Sequence, residues 1–199
     1  MNNPRPSLFL LARHAQSMLN FEQRVNGDPA VDVPLTDEGR EQASLLGAQI
    51  AHLQLELCVH SRFPRARETA ELALSGRDVP LEVEPLLDDV NIGELEGWEI
   101  ARYREVKRSL GRDQPFPGGE SLDDAARRYA LAFRRLVERG AGRVLVVSHE
   151  IPVRYALNAA AGSDLLDGPP FHEIPNAVPF LFEGDALARA AGRIEALGG

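Results

Sequence analysis

Leu8-Phe9-Leu10-Leu11-Ala12 is an unbroken apolar run of strand length that stops at Arg13-His14. Because successive strand side chains point to opposite faces, a run without alternation suits a strand covered on both sides. The clearest strand of this kind is Arg143-Val144-Leu145-Val146-Val147, which stops at Ser148-His149. Shorter strands are predicted from about Leu55 to His60, running into Ser61-Arg62-Phe63, then at Leu81 to Val83 and at Val178 to Phe182. Helical patterns fill the intervals. Thr36 can cap a helix whose first turn carries Asp37 and Glu38, favourable at the positive end of the helix dipole, and Ala43, Leu46, Ile50 and Leu53 mark its apolar face. Pro64 suits the first position of the next helix, where Ala66, Ala70 and Ala73 permit close packing. A polar helix is predicted from Glu99 to Leu110. Ser121 with Asp124 resembles a capping box, with Asp in place of the usual Glu, and opens a helix running to about Glu138. A further helix runs from Pro152 to about Ala160.

Strands alternating with helices predict an α/β fold, a three-layer sandwich with a mostly parallel sheet and helices on both faces. In such sheets ligands bind beyond the carboxyl ends of the strands. Three predicted strands bring Arg13-His14, Ser61 with Arg65, and Ser148-His149 to that edge, so these groups are expected to converge.

The chain has 199 residues, enough for one good core, and residues 1–199 are read as one domain. A net charge of −8 argues against a general nucleic-acid surface, which needs clustered Lys and Arg, so any affinity for phosphate must be local. The single cysteine, Cys58, lies in an apolar run and reads as a small hydrophobe. Met1 to Pro6 is polar and proline-rich, and the apolar stretch after it is too short for a signal segment or a membrane span; a cytoplasmic location is the default expectation. The five histidines show no close pairing, so no metal is expected.

Leu11-Ala12-Arg13-His14-Ala15-Gln16-Ser17, with Asn20 beyond it, resembles the signature of the histidine phosphatase superfamily, the phosphoglycerate mutase-like family. The resemblance continues in order through Leu35 to Gly39, Ser61 to Ala70, Gly93-Glu94-Leu95-Glu96-Gly97, Pro117 to Ser121 and Val146 to His149, nearly the whole chain. It implies a phosphomonoesterase acting on a small phosphorylated metabolite, without a cofactor, with His14 as nucleophile and Arg13, Arg65 and His149 around the phosphoryl group. Residue chemistry agrees. Guanidinium groups offer planar charged forks to phosphate oxygens, and a neutral imidazole supplies a nucleophilic nitrogen. His149 would be most useful protonated, donating to the phosphoryl group, which a nearby dianion favours. Counting back from Gly93, the resemblance puts the proton donor at Asp89, whose pKa must then be raised.

Two positions depart from the family pattern. Ala15 stands where Gly is usual, which matters only if the site needs a positive φ. Glu150 follows His149 where relatives of this size often have Gly, and it is the alternative proton donor or else a rim carboxylate paired with Arg62 or Arg154. Asn20 and Glu120 are candidate substrate contacts that could instead fix a turn and a helix start. Arg62 reads as a solvated charge, His52 and His60 as structural or exposed, and His172 as a remote substrate candidate. Trp98 is expected to pack beneath the active-site loop. A phosphoglycerate-type mutase is the alternative activity, although mutases of the family usually insert extra residues after the Gly93 motif, and Gly97 to Pro117 leaves room for only one helix and a short loop. A non-catalytic phosphate-binding module is the remaining alternative.

Overall fold

The computed structural model describes residues 7–140 and 142–198. The polar segment Met1 to Pro6 therefore lies outside the described residues. In chain order the elements are β1 (Leu8–Arg13), α1 (Met18–Phe21), α2 (Asp37–Gln49), β2 (Leu57–His60), α3 (Pro64–Ala73), β3 (Leu81–Val83), α4 (Ile100–Ser109), α5 (Leu122–Glu138), β4 (Arg143–Ser148), α6 (Glu150–Ala160), β5 (Pro179–Glu183) and α7 (Gly184–Leu197). Single turns of 3-10 helix at Pro85–Leu87 and Gly93–Leu95 interrupt the loop between β3 and α4.

The strands form one sheet in the order β3-β2-β4-β1-β5, parallel except for β5, which runs antiparallel to β1. The unbroken apolar runs are explained by the two layers they serve. Phe9, Leu11, Val59, Val144 and Val146 pack with Ala126, Tyr129 and Phe133 of α5, Val153 of α6 and Leu187 of α7. Their neighbours Leu10, Ala12, Cys58, Leu145 and Val147 point the other way, onto Ala43 and Leu46 of α2 and Ala66 and Ala70 of α3. Cys58 is buried among them, and burial pushes its thiol pKa up to about 12, as suits a packing residue.

Close packing of α2 on α3 depends on glycine as well as alanine. A Cβ at Gly47 would overlap the Ala73 carbonyl oxygen. Gly47→Ala is expected to destabilise the protein by about 1–3 kcal/mol through overpacking, outweighing the gain in helix propensity. A denaturant midpoint equal to or above the parent's would show that the helices can separate freely.

Boundaries shift where local chemistry overrides pattern. α6 begins at Glu150, two residues before Pro152, with His149 as its N-cap. Pro152 still falls in the first turn, where its missing N–H costs nothing. α2 ends at Gln49, leaving Leu53 in the following turn, where it packs against the same core. Ser121 and Asp124 do form the reciprocal capping box. Beyond β5 lies a helix that the sequence pattern did not announce. There α7 buries Leu187, Ala190, Ala191 and Ile194, an i, i+3, i+4, i+7 face.

Candidate active site

Register brings the two histidines together. Arg13 pairs with Ser148 in the β1–β4 ladder, and the His14 N–H donates to the Ser148 carbonyl at 2.8 Å. His14 and His149 thus leave adjacent strand ends, with ring centroids 5.3 Å apart. On the other side of β4, the Ser61 N–H donates to the Val147 carbonyl, which carries the chain from β2 to Arg65 at the start of α3.

The hydrogen bonds fix the ring tautomers. His14 Nδ1 lies 2.7 Å from the Ala15 carbonyl, which can only accept, so Nδ1 carries the hydrogen and Nε2 the lone pair. Arg65 Nε donates to that lone pair at 3.0 Å. In His149 the pattern is reversed. Arg65 Nη2 donates to Nδ1 at 3.2 Å, so the hydrogen sits on Nε2 and points to Ser61 Oγ at 2.8 Å. Burial first, then the Arg65 charge, lowers both histidine pKa values well below the usual range, and both rings are neutral at pH 7. The His149 Nδ1, held between Arg65 and Asp89, can donate only after gaining a proton.

Arg65 is the hub. The residue is only 3% exposed, and its guanidinium lies over the Phe63 ring and donates to both the side-chain and main-chain oxygens of Asn26. Burial lowers its pKa to about 10, opposed by Asp89, so it remains charged at neutrality. Asp89 Oδ2 lies 3.4 Å from Arg65 Nη2 and 3.5 Å from His149 Nδ1, while Oδ1 accepts from the Val90 N–H. Burial raises the Asp89 pKa; Arg65 opposes the shift and Glu150 adds to it. Arg13 donates to the Ile174 carbonyl and pairs with Glu150.

Glu150 is committed to cations through both oxygens, Oε2 to Arg13 at 3.1 Å and Oε1 to Arg154 at 3.0 Å. The Arg154 pair is one the sequence offered, while the Arg13 pair keeps the carboxylate on the cavity that Asp89 also lines. Arg62 pairs instead with Asp88, by side chain and by main-chain N–H. Ala15 has no positive φ, and its buried methyl group packs in the core, so alanine fits where glycine is usual.

Arg13, His14, Asn20, Arg65, Asp89 and Glu150 line one cavity of about 530 Å³ together with Tyr103, Arg104, Lys107 and Arg108 of α4 and with His172, whereas buried His149 is not part of its lining. Such a volume suits a small organic ligand. Asn20 Oδ1 also accepts from the Ser17 N–H, capping α1. Glu120 is not brought to this cavity. It lines a neighbouring one, pairs with Arg128 at 2.5 Å and accepts from the Asn91 N–H. Arg128 in turn donates to the carbonyls of Leu86, Asp88 and Asp89, so the pair shapes the loop that carries Asp89. His60 is buried against the Ser61 carbonyl, and His52 is exposed. Trp98 packs half-buried on the core with the Arg102 guanidinium over its ring.

Sequence reading missed Asn26 and Asn176. Asn176 donates to the His14 carbonyl at 2.7 Å, and the Ala177 N–H donates to that of Arg13 at 2.9 Å. Asn26 is set by Glu96, which accepts from its side chain and from the N–H groups of Gly27 and Asp28. Asn26→Ala removes a bond to a charged donor, worth about 1.5 kcal/mol. Vanadate or phosphate affinity is expected to fall roughly tenfold; unchanged affinity would mean that the main-chain oxygen alone orients Arg65.

Fold and site together define an α/β protein with a cavity lined by Arg13, His14 and Arg65, behind which the His149 ring is buried against Arg65. Its family follows from comparison with known proteins. The model of the histidine phosphatase superfamily, branch 1, matches residues 9–180, and the chain belongs to that superfamily. The chain is 36% identical over 167 residues to 2,3-bisphosphoglycerate-dependent phosphoglycerate mutase 2 of Gloeobacter violaceus, covering 76% of this chain and 74% of that protein. A putative alpha-ribazole-5'-P phosphatase from Escherichia coli shares the fold with a TM-score of 0.77 at 23% identity, covering 89% and 90% of the two chains. Mycobacterial glucosyl-3-phosphoglycerate phosphatase does so with a TM-score of 0.74 at 23% identity, covering 89% and 90%. Among the described residues no helix is long and apolar enough to cross a membrane.

Proposed function

We propose that this chain is a phosphomonoesterase that hydrolyses a small phosphorylated metabolite through a phosphohistidine on His14. The observation that carries this reading is the neutral His14 ring, its Nε2 lone pair turned toward Arg65 in the cavity that Asp89 also lines. Incoming phosphate oxygens compete for the Arg65 N–H groups and free Nε2 for in-line attack. The phosphorus–Nε2 bond forms as the ester bond breaks, Arg13 and Arg65 hold the charge on the equatorial oxygens, and Asp89 gives its proton to the leaving oxygen. A water then attacks phosphorus, Asp89 takes up its proton, and Nε2 regains its lone pair. A substrate dianion stabilises a proton on His149 Nδ1, which then donates to the phosphoryl group.

The 36% identity to a named mutase supports a second reading, in which the bound product takes the phosphoryl group back. Against it stands the short Gly97 to Pro117 stretch, which holds α4 and one loop and supplies no longer cover over the cavity. The assay that decides is incubation with 3-phosphoglycerate and a panel of sugar and nucleotide phosphates, reading free phosphate and isomerised phosphoglycerate together. Stoichiometric phosphate release supports the hydrolase. Isomerisation with little free phosphate makes the chain a mutase.

A further inference from the structure

Between α6 and β5 the chain contributes Asp167, His172 and Glu173 to the lining of the cavity, and buried Asn158 of α6 clasps it. The Asn158 side chain donates to the carbonyls of Leu166, Gly168 and Phe171 and accepts from the Phe171 N–H. This clasp presents Asp167 to three cations from three places. Lys107 of α4 reaches Oδ1 at 3.0 Å, Arg154 of α6 reaches Oδ1 at 3.1 Å, and Arg112 of the loop after α4 reaches Oδ2, with the Tyr155 hydroxyl on Oδ2 at 2.9 Å. No step of the phosphoryl transfer proposed above uses Asp167.

The partners differ in what else holds them. Arg154 is also bound to Glu150 and to the His172 carbonyl, and Arg112 to Asp123. Lys107 projects from a helix none of whose residues is fully buried, and Asp167 is its ion-pair partner. Neutralising Asp167 therefore leaves α6 and the Arg112 loop tied and removes the ion pair on α4, which keeps the packing of Tyr103 and Val106 on the core and the Tyr103–Phe116 stack. Ion pairs in a partly buried network couple more strongly than isolated surface pairs.

We propose that Asp167 is a positioning residue that latches α4 as one wall of the pocket, so that it governs recognition of the part of the substrate beyond the phosphate. The proposal rests on the phosphatase reading, and its test separates the two. Asp167→Asn, Lys107→Met and the double variant of the full chain are compared with the parent on phenyl phosphate and on the sugar or nucleotide phosphate that the parent hydrolyses best. The single variants are each expected to raise KM for the larger ester roughly tenfold with kcat within about threefold, and the double variant to add little more, because the Asp167–Lys107 pair is lost in each of them. Asp167→Glu is expected to recover most of the loss. Trp98, the single tryptophan, immediately precedes the α4 cap and reports the helix without any substrate, so its fluorescence should become more accessible to acrylamide in both single variants. Additive KM effects, or unchanged KM and quenching in a folded Asp167→Asn, overturn the latch. If Asp167→Asn does not fold, Lys107→Met alone decides on the same two readouts. Turnover that survives His14→Ala would overturn the phosphohistidine reading instead, and the quenching result would still decide whether Asp167 holds α4.

Discussion

His14→Ala should bring hydrolysis of every phosphomonoester down by on the order of 10⁴-fold or more, while inorganic phosphate still binds. The size follows from the step lost. Without Nε2 there is no covalent intermediate, and what remains is the electrostatic contribution of Arg13, Arg65 and the neighbouring groups, which removal of a nucleophile leaves as a small residual rate. Binding survives because both guanidinium groups keep their protein anchors, Arg13 on the Ile174 carbonyl and Arg65 on Asn26. A chemical signature accompanies the rate. Rapid quenching of the parent in base should trap phosphate on protein in a form that acid releases, as expected of a phosphorus–nitrogen bond, and the variant should trap none. Parent-like turnover in the variant would remove the nucleophile assignment altogether.

The reason these groups were legible in the sequence is that each sits where a buried strand ends. β1, β2 and β4 occupy the middle of the sheet, where burial on both faces writes continuous apolar runs, and the first polar residues after such runs mark the catalytic edge. The edges write a fainter signal. All three residues of β3 are exposed, and β5 holds only Phe182 fully buried. α7 buries a small, alanine-rich face with no side-chain cap to announce it, and so escaped notice. Within the site, Arg13, His14, Arg65, His149 and Asp89 fall in motifs readable by position. Asn26 and Asn176 do not, because they act by bonding to residues far along the chain, 39 and 162 positions away. Glu120 shows the converse. Its place in a motif suggested a substrate contact or a helix start, and what position alone did not reveal is that its carboxylate pairs with Arg128 and accepts from the Asn91 N–H.

Asp89→Asn tests the other half of the mechanism, and its outcome depends on the leaving group and on pH. An alkyl ester leaves as a strongly basic alkoxide and needs the proton, so its kcat should fall by roughly 10²–10⁴-fold. A nitrophenyl ester leaves without help. Its first turnover should stay fast, and product should then appear as a burst followed by a slow phase, because the same carboxylate is needed to activate water against phosphohistidine. The pH dependence has a fixed sign. In the proposed mechanism activity requires His14 unprotonated, and its lowered pKa meets that condition down into the acid range. It also requires Asp89 protonated, so rate is lost as pH rises through the raised Asp89 pKa, a limb that a bound phosphate dianion displaces further upward. The amide introduced by Asp89→Asn cannot ionise, and the variant should lose that limb while keeping the acid one. Glu150→Gln supplies the contrast. Its parent carboxylate is spent on Arg13 and Arg154, so the variant should keep the alkaline limb and lose mainly substrate affinity. If instead the limb vanished in Glu150→Gln and persisted in Asp89→Asn, the proton would come from the carboxylate beside His149, and the two guanidinium bonds seen there would have to open during the reaction.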